Sequence, residues 1–184
     1  MDEGRDATLE EARAISAYSG RGGAANAFAE NPTGGWAEVS RDLKELLSED
    51  EFADQRATVL TAFYTPRPVV ELIWETLRDA GICDEGTAEI LEPGCGTGNF
   101  MRCVPAGLDV HVTGVEIDPV SAGLARVLCP DHMIVAADIA KCEIPEGSFD
   151  AAIGNVPYSD AIKIDGVPLH DYMIKRAVAA VRPG

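Results

Sequence analysis

Apolar positions recur at helical spacing through the first part of the chain and as short unbroken runs through the second. Leu43, Leu46 and Leu47 fall on one face of a predicted short helix. Ser48 and Glu51 have capping-box spacing, so a further helix is predicted from there to about residue 62, with Phe52, Val59, Leu60 and Phe63 inward. Tyr64-Thr65-Pro66 interrupts it. Thr65 is placed to cap the next helix and Pro66 to sit in its first turn, where a missing N–H costs nothing. Val69, Val70, Ile73, Trp74 and Leu77 then recur on one face until Gly81 marks a stop. Upstream, residues 1–35 are acidic and then rich in Gly and Ala. With Ser19-Gly20-Arg21-Gly22-Gly23 and Asn31-Pro32-Thr33-Gly34-Gly35 as loop signals, they read as a flexible or linker-like segment.

From residue 87 the rhythm changes. Apolar runs at 87–91, 109–117, 133–137 and 149–154 read as strands, with helical patterns at 99–104, 119–128 and 169–181. Apolar strands alternating with helices predict an α/β fold: a doubly wound, Rossmann-like parallel sheet covered on both faces. The expected organisation is a linker over 1–35, a helical segment over 36–82 and an α/β core over 83–184.

Composition narrows the function classes. The 184 residues are 46% hydrophobic and 25% charged, which suits one globular domain with an extension. Lys and Arg number 15 against 31 Asp and Glu, a net charge of −16, so the chain as it stands repels a phosphate backbone. No run approaches the ~18 apolar residues of a membrane span, and the acidic start lacks the basic character of a secretory signal. The five cysteines contain no CxxC pair, and their number is odd. They read as reduced thiols of a cytoplasmic protein, with no metal site.

The chemistry lies at the strand ends. Gly94-x-Gly96-x-Gly98 follows a strand and opens a helical stretch. Glycines there admit positive φ and close approach of a ligand, and the helix start offers free N–H groups. A tight turn of this kind also occurs without a ligand. Asn99 stands where the dinucleotide fingerprint needs its last Gly, which argues against a dehydrogenase. Glu116 ends the second strand at a distance suited to holding ribose hydroxyls, and Asp138 ends the third; each is otherwise a solvated strand-end carboxylate. Asn155-Val156-Pro157-Tyr158 follows the fourth strand. A purine amine is a poor nucleophile because its lone pair is delocalised. An Asn oxygen and a neighbouring carbonyl that each accept one N–H free that lone pair. Pro stiffens the turn, and Tyr offers a face for stacking. The competing reading is a plain β-turn.

Together these segments resemble the S-adenosylmethionine-dependent amino-methyltransferases, specifically the adenine-N6 DNA methylases. Leu91-Glu92-Pro93-Gly94-Cys95-Gly96-Thr97-Gly98-Asn99-Phe100 resembles that family's cofactor motif, Val115-Glu116-Ile117-Asp118-Pro119 its ribose motif and Asp138-Ile139 its adenine contact. Asn155-Val156-Pro157-Tyr158 resembles its Asn-Pro-Pro-Tyr/Phe motif, with Val156 replacing the first Pro; the family uses that residue through its carbonyl, which Val retains. Phe63-Tyr64-Thr65-Pro66 lies where the family packs the methionine end of the cofactor. The resemblance thus implies S-adenosylmethionine as cofactor and S-adenosylhomocysteine as product. It assigns cofactor contacts to Tyr64, Thr65, Pro66, Glu92, Pro93, Gly94, Gly96, Gly98, Asn99, Phe100, Glu116, Ile117, Asp138, Ile139 and Asn155. It assigns the catalytic role to Asn155, Val156, Pro157 and Tyr158.

A narrower resemblance covers residues 18–23, the Trp36 to Leu47 stretch, residues 57–66 and the Asn155-Val156-Pro157 variant. It is to the methylase region of large methylase–helicase proteins of plasmids and phages, which implies a mobile-element, restriction–modification setting. The family's sheet carries more strands than the four read here. The expectation is therefore a C-terminally incomplete core that is part of a larger polypeptide. Such a core contacts DNA mostly through regions outside it and methylates weakly or not at all alone, with its fourth strand an open edge for association. Two other functions remain open: a protein-glutamine or RNA methylase, and a non-catalytic cofactor-binding scaffold. His111 and His132 are expected to be structural, His170-Asp171 to open the last helix, and Cys95 to be unreactive.

Overall fold

The computed structural model describes residues 7–16, 22–59 and 64–183. Four helices come first: α1 (Leu9–Ser16), α2 (Gly35–Leu46), α3 (Glu49–Thr58) and α4 (Arg67–Asp79). The core follows as β1 (Ala88–Pro93), β2 (Val110–Glu116), α5 (Pro119–Leu128), β3 (Met133–Ala136) and β4 (Ala151–Ala152). A small hairpin, β5 (Lys163–Ile164) and β6 (Val167–Pro168), leads into α6 (Leu169–Ala180).

The four main strands pair in parallel in the order β3-β2-β1-β4. The chain winds outward from β1 to β3, then crosses back to lay β4 on the other side of β1. That reversal leaves a crevice at the carboxyl ends of β1 and β4, where open α/β sheets take their ligands. Alternate residues of β1 serve opposite faces. Ile90 packs with Val70 and Trp74 of α4, while Leu91 packs with Met173, Ala177 and Ala180 of α6. The sheet is therefore covered on both faces, as the apolar runs predict, and the class I methyltransferase-like α/β fold stands. A third cluster joins Phe28 and Val59 to Trp36, Leu43 and Phe52, so the N-terminal helices have a core of their own.

Several expectations need correction. The segment 1–35 is not simply linker: it forms α1 and a 3-10 turn over Gly22–Phe28, which buries Phe28 5.1 Å from the Phe52 ring. Thr8 and Glu11 form the same reciprocal cap at the start of α1 (2.7 and 3.2 Å) that Ser48 and Glu51 form, as expected, at the start of α3 (2.8 and 3.2 Å). The inward face of α2 carries Trp36, Ser40 and Leu43, and Leu46 points out at 80% exposure. α3 stops at Thr58; Leu60, Phe63 and residues 18–21 lie outside the described residues.

Thr65 does not cap α4. The Pro66 carbonyl opens the helical ladder to Val69 and Val70, and Pro66 itself is extended at ψ 137°, so Pro68 fills the first turn instead. Residues 99–104 make only a 3-10 turn over Met101–Cys103, because Pro105 lies just beyond it. β4 is two residues long, and its start is no bare edge. Phe149 accepts from Arg182 N (2.8 Å) and donates to Ala180 O (3.0 Å), and Arg182 pairs with Asp150. The β5–β6 hairpin was not expected. Asp165-Gly166, with φ of 53° and 80°, supplies its turn, and that dipeptide is a hairpin signal in its own right.

Candidate functional site

The glycine turn leaves β1 with Gly94, Gly96 and Gly98 all at positive φ (72°, 56° and 77°). Gly94 and Cys95 donate to the Val115 carbonyl at 2.8 and 3.1 Å, which ties the turn to β2. A Cβ on Gly96 would stand 3.2 Å from the Tyr64 hydroxyl, so the segment before α4 is seated on the turn. A Cβ on Gly98 would stand 2.6 Å from Cys129 Sγ; this glycine permits close packing under the turn. Asn99 Nδ2 holds the Thr65 carbonyl at 2.7 Å, a second tie to the same segment.

Three carboxylates meet here in different states. Glu116 accepts from Gly96 N and Asp118 N, each at 2.8 Å. Burial raises its pKa, and the N–H bonds from Asp118 and Gly96 offset only part of that rise. Glu92 is 2% exposed, and its Oε2 finds no partner among the described residues. Burial, and then the charge of Glu116, push its pKa well up. Asp138 caps its own turn through Ala140 N at 2.9 Å and lies 3.6 Å from Lys141. Burial also raises the Cys95 thiol, and pushes Cys129 up to about 12, so neither is a nucleophile.

A cavity of about 150 Å³ lies among these groups. From the expected cofactor set it brings together Tyr64, Thr65, Glu92, Gly94, Gly96 and Asn99. Phe100, Glu116, Ile117, Asp138 and Ile139 line it as well, as do Asn155 and Pro157, and a Cβ on Gly94 would stand 3.4 Å from Pro157 Cδ. Pro66, Pro93, Gly98, Val156 and Tyr158 are not part of its wall. Pro93 ends β1, Gly98 packs against Cys129 under the turn, Pro66 precedes α4, and Val156 packs on the α6 side of the core. Leu169 and Met173 of α6, Ser121 of α5 and its N-cap Asp118 also line it; sequence reasoning gave none of them a site role, although Asp118 lies within the quoted ribose motif. Asp118 carried a signal, since an Asp before a Pro-initiated helix is an N-cap; the α6 residues carried none.

Tyr158 stands outside the wall, 73% exposed, with its ring stacked on His170 at 4.3 Å and 22°. His170 is thus a support for the last residue of the tetrapeptide, beyond its expected place at the head of α6. His111 bonds Glu89 at 3.0 Å and His132 accepts from Val112 N at 3.3 Å; both are structural, as expected. No group of metal-ligating residues occurs among the described residues, nor a helix long and apolar enough to cross a membrane.

A methyltransferase domain family model matches residues 90–184, just over half of the chain. The chain is 41% identical over 97 residues to a type II methyltransferase of a Paramecium bursaria Chlorella virus, covering 52% of this chain and 24% of that protein. It is 29% identical over 135 residues to the defense against restriction protein B of Escherichia phage P1, covering 68% of this chain. The chain spans only 6% of the length of that phage protein. Among solved structures, a Galdieria sulphuraria protein assigned as a sarcosine dimethylglycine methyltransferase shares the fold. The TM-score is 0.50 at 14% identity, over 63% of this chain and 43% of that one.

The cofactor that goes with this family is S-adenosylmethionine. The cavity's own atoms fit it. Thr65 Oγ1 and Glu92 Oε2 are buried without partners among the described residues, and both residues line the cavity, where a ligand's polar groups complete them.

Proposed function

This chain belongs to the methyltransferase domain family, and on that premise we propose that it is the cofactor-binding core of an adenine-N6 DNA methyltransferase. The observation that carries the reading is the position of the tetrapeptide. Asn155 and Pro157 line the same cavity as Gly94, Glu116 and Asp138, and the Tyr158 ring stands exposed beside them. The 41% likeness over 97 residues to a viral type II methyltransferase supports this acceptor class. The name of the phage relative supports a setting in restriction and its evasion.

Each residue then has a part. Glu92, unpartnered on one oxygen, takes the ammonium of the methionyl group. Glu116 takes ribose hydroxyls on the lone pairs its two backbone donors leave free. Asp138 and Ile139 hold the cofactor's adenine. Bound S-adenosylmethionine supplies an electrophilic methyl group on a sulfonium. The Asn155 oxygen and the Val156 carbonyl each accept one N–H of the target amine. This draws the nitrogen lone pair out of conjugation and aims it into the cavity. Tyr158 stacks on the flipped base, its ring held from behind by His170. The proton released after transfer passes to solvent at the open mouth. A net charge of −16 means that other parts of a larger polypeptide hold the DNA backbone.

Transfer of a tritiated methyl group to DNA, RNA and protein tests this. Label recovered from DNA as N6-methyladenine, weak with the chain alone, strong with its full-length parent and absent with Asn155→Ala, is the expected result. Label on RNA or on protein glutamine moves the acceptor to that class. Cofactor binding with no transfer to any acceptor, in the chain and in its full-length parent, makes it a scaffold.

A further inference from the structure

Gln55 lies on α3, upstream of the segment matched by the family model, and yet it is wired into the cavity. It is 3% exposed, and its Nε2 donates to Asp118 Oδ1 at 2.6 Å. Asp118 is 2% exposed. Its carboxylate caps α5 through Val120 N and Ser121 N, both at 3.2 Å, and takes the Ser121 hydroxyl. Its own N–H donates to Glu116 Oε1 at 2.8 Å, and the other oxygen of Glu116 takes Gly96 N. One buried relay therefore runs from α3 through the β2–α5 turn to the glycine turn.

A buried carboxylate is stable only where donors surround it, and it moves when one of them is lost. Any shift of Asp118 carries its peptide N–H with it, and that N–H is one of the two donors that orient Glu116. Gln55 is a neutral donor, so it stabilises the Asp118 charge without competing for Glu116. The helix that carries it is fixed in turn by the separate core around Phe28, Phe52 and Val59.

We propose that Gln55 is a positioning residue for the ribose end of the cofactor site. It acts through Asp118 to aim the Glu116 carboxylate into the cavity, so the N-terminal helices are a working part of cofactor recognition. The proposal rests on the reading that Glu116 holds ribose hydroxyls.

The test is calorimetric titration of the whole chain with S-adenosylhomocysteine and with its analogue lacking the 2′- and 3′-hydroxyls. The wild-type chain should prefer the parent ligand by at least about tenfold. Gln55→Met keeps the side chain's length and removes its donor. It should weaken the parent ligand by about five- to tenfold and change the analogue by less than about twofold. A merely structural loss would weaken both ligands alike, and equal weakening overturns the proposal, as does an unchanged preference. A wild-type chain that binds both ligands equally means that Glu116 does not hold the ribose, and the proposal falls with that reading. Should the Met variant not fold, the side-chain amide resonances of Gln55 in the wild-type chain decide. They should shift on binding the parent ligand and stay still with the analogue; an equal response to both overturns the proposal.

Discussion

The two ends of the cavity are built by different means. Around the glycine turn the backbone and side chains are cross-tied: Glu116 to Gly96 and Asp118, Asn99 to Thr65, and the turn's N–H groups to Val115, with Thr65 Oγ1 and Glu92 Oε2 left for a ligand. At the tetrapeptide Asn155 and Tyr158 are exposed, and the tyrosine ring is stacked on His170. The contrast fits two tasks. A cofactor of fixed shape is best met by a rigid socket, in which the cost of ordering is met by folding. An acceptor that arrives as part of a macromolecule needs an open mouth. Mutations at the first end should therefore act on stability and cofactor affinity together. Those at the second should act on transfer while leaving both nearly untouched.

The largest expected effect falls at the open end. Asn155→Ala should lower methyl transfer by about 100-fold or more, the scale of losing one donor or acceptor aimed at a reacting group. Its urea midpoint should stay near wild type, and its cofactor affinity should fall far less than transfer does. A comparable loss of cofactor affinity would break the contrast. Next comes the tight end. Gly98→Ala forces a Cβ onto Cys129 Sγ at a φ of 77°, and should cost about 3 kcal/mol in urea unfolding. A variant that unfolds like the wild type would show that the turn yields more easily than its packing indicates.

The charge state of the tight end gives a subtler signature. Burial raises the Glu92 pKa, so the folded chain holds that proton more firmly than the unfolded chain. The resulting stability is full below the ordinary carboxylate value of about 4.5 and is lost as pH rises through the folded-state pKa. Glu92→Gln removes this dependence, so its stability relative to wild type should climb as pH is raised from there. A pH-independent difference would mean that Glu92 is ionised in the folded chain. The smallest effect is expected from the ring behind Tyr158. His170→Ala should lower transfer by about three- to tenfold, the worth of one aromatic pair, and His170→Phe should restore most of it. A Phe variant as poor as the Ala variant would show that the ring is not used as a stacking support.

The strand ending in a glycine turn, the capping box at Ser48 and the strand-end acids at 116 and 138 were legible because each is a local pattern: periodicity, a fixed spacing, a residue type at an element's end. The same logic held for Thr8 and Glu11 and for Asp165-Gly166, where the signal was present and went unread. Local chemistry also marked Asn155 through Tyr158 as a unit. Residue order along the chain therefore determined the α/β class, the positions of the strands and the type of chemistry to look for at their ends.

What the tertiary structure alone decided is which distant groups share a space. That Gln55 reaches Asp118, that Met173 and Leu169 of the last helix line the cavity, and that His170 backs Tyr158 depend on the crossover that lays β4 beside β1 and α6 over it. The same holds for Leu46, which the helical spacing turned inward and the packing of Trp36 and Leu43 turned out. A periodic pattern states that a face is apolar. It does not state what will cover it, because burial is a property of two surfaces, and the second surface comes from a part of the chain far away in sequence.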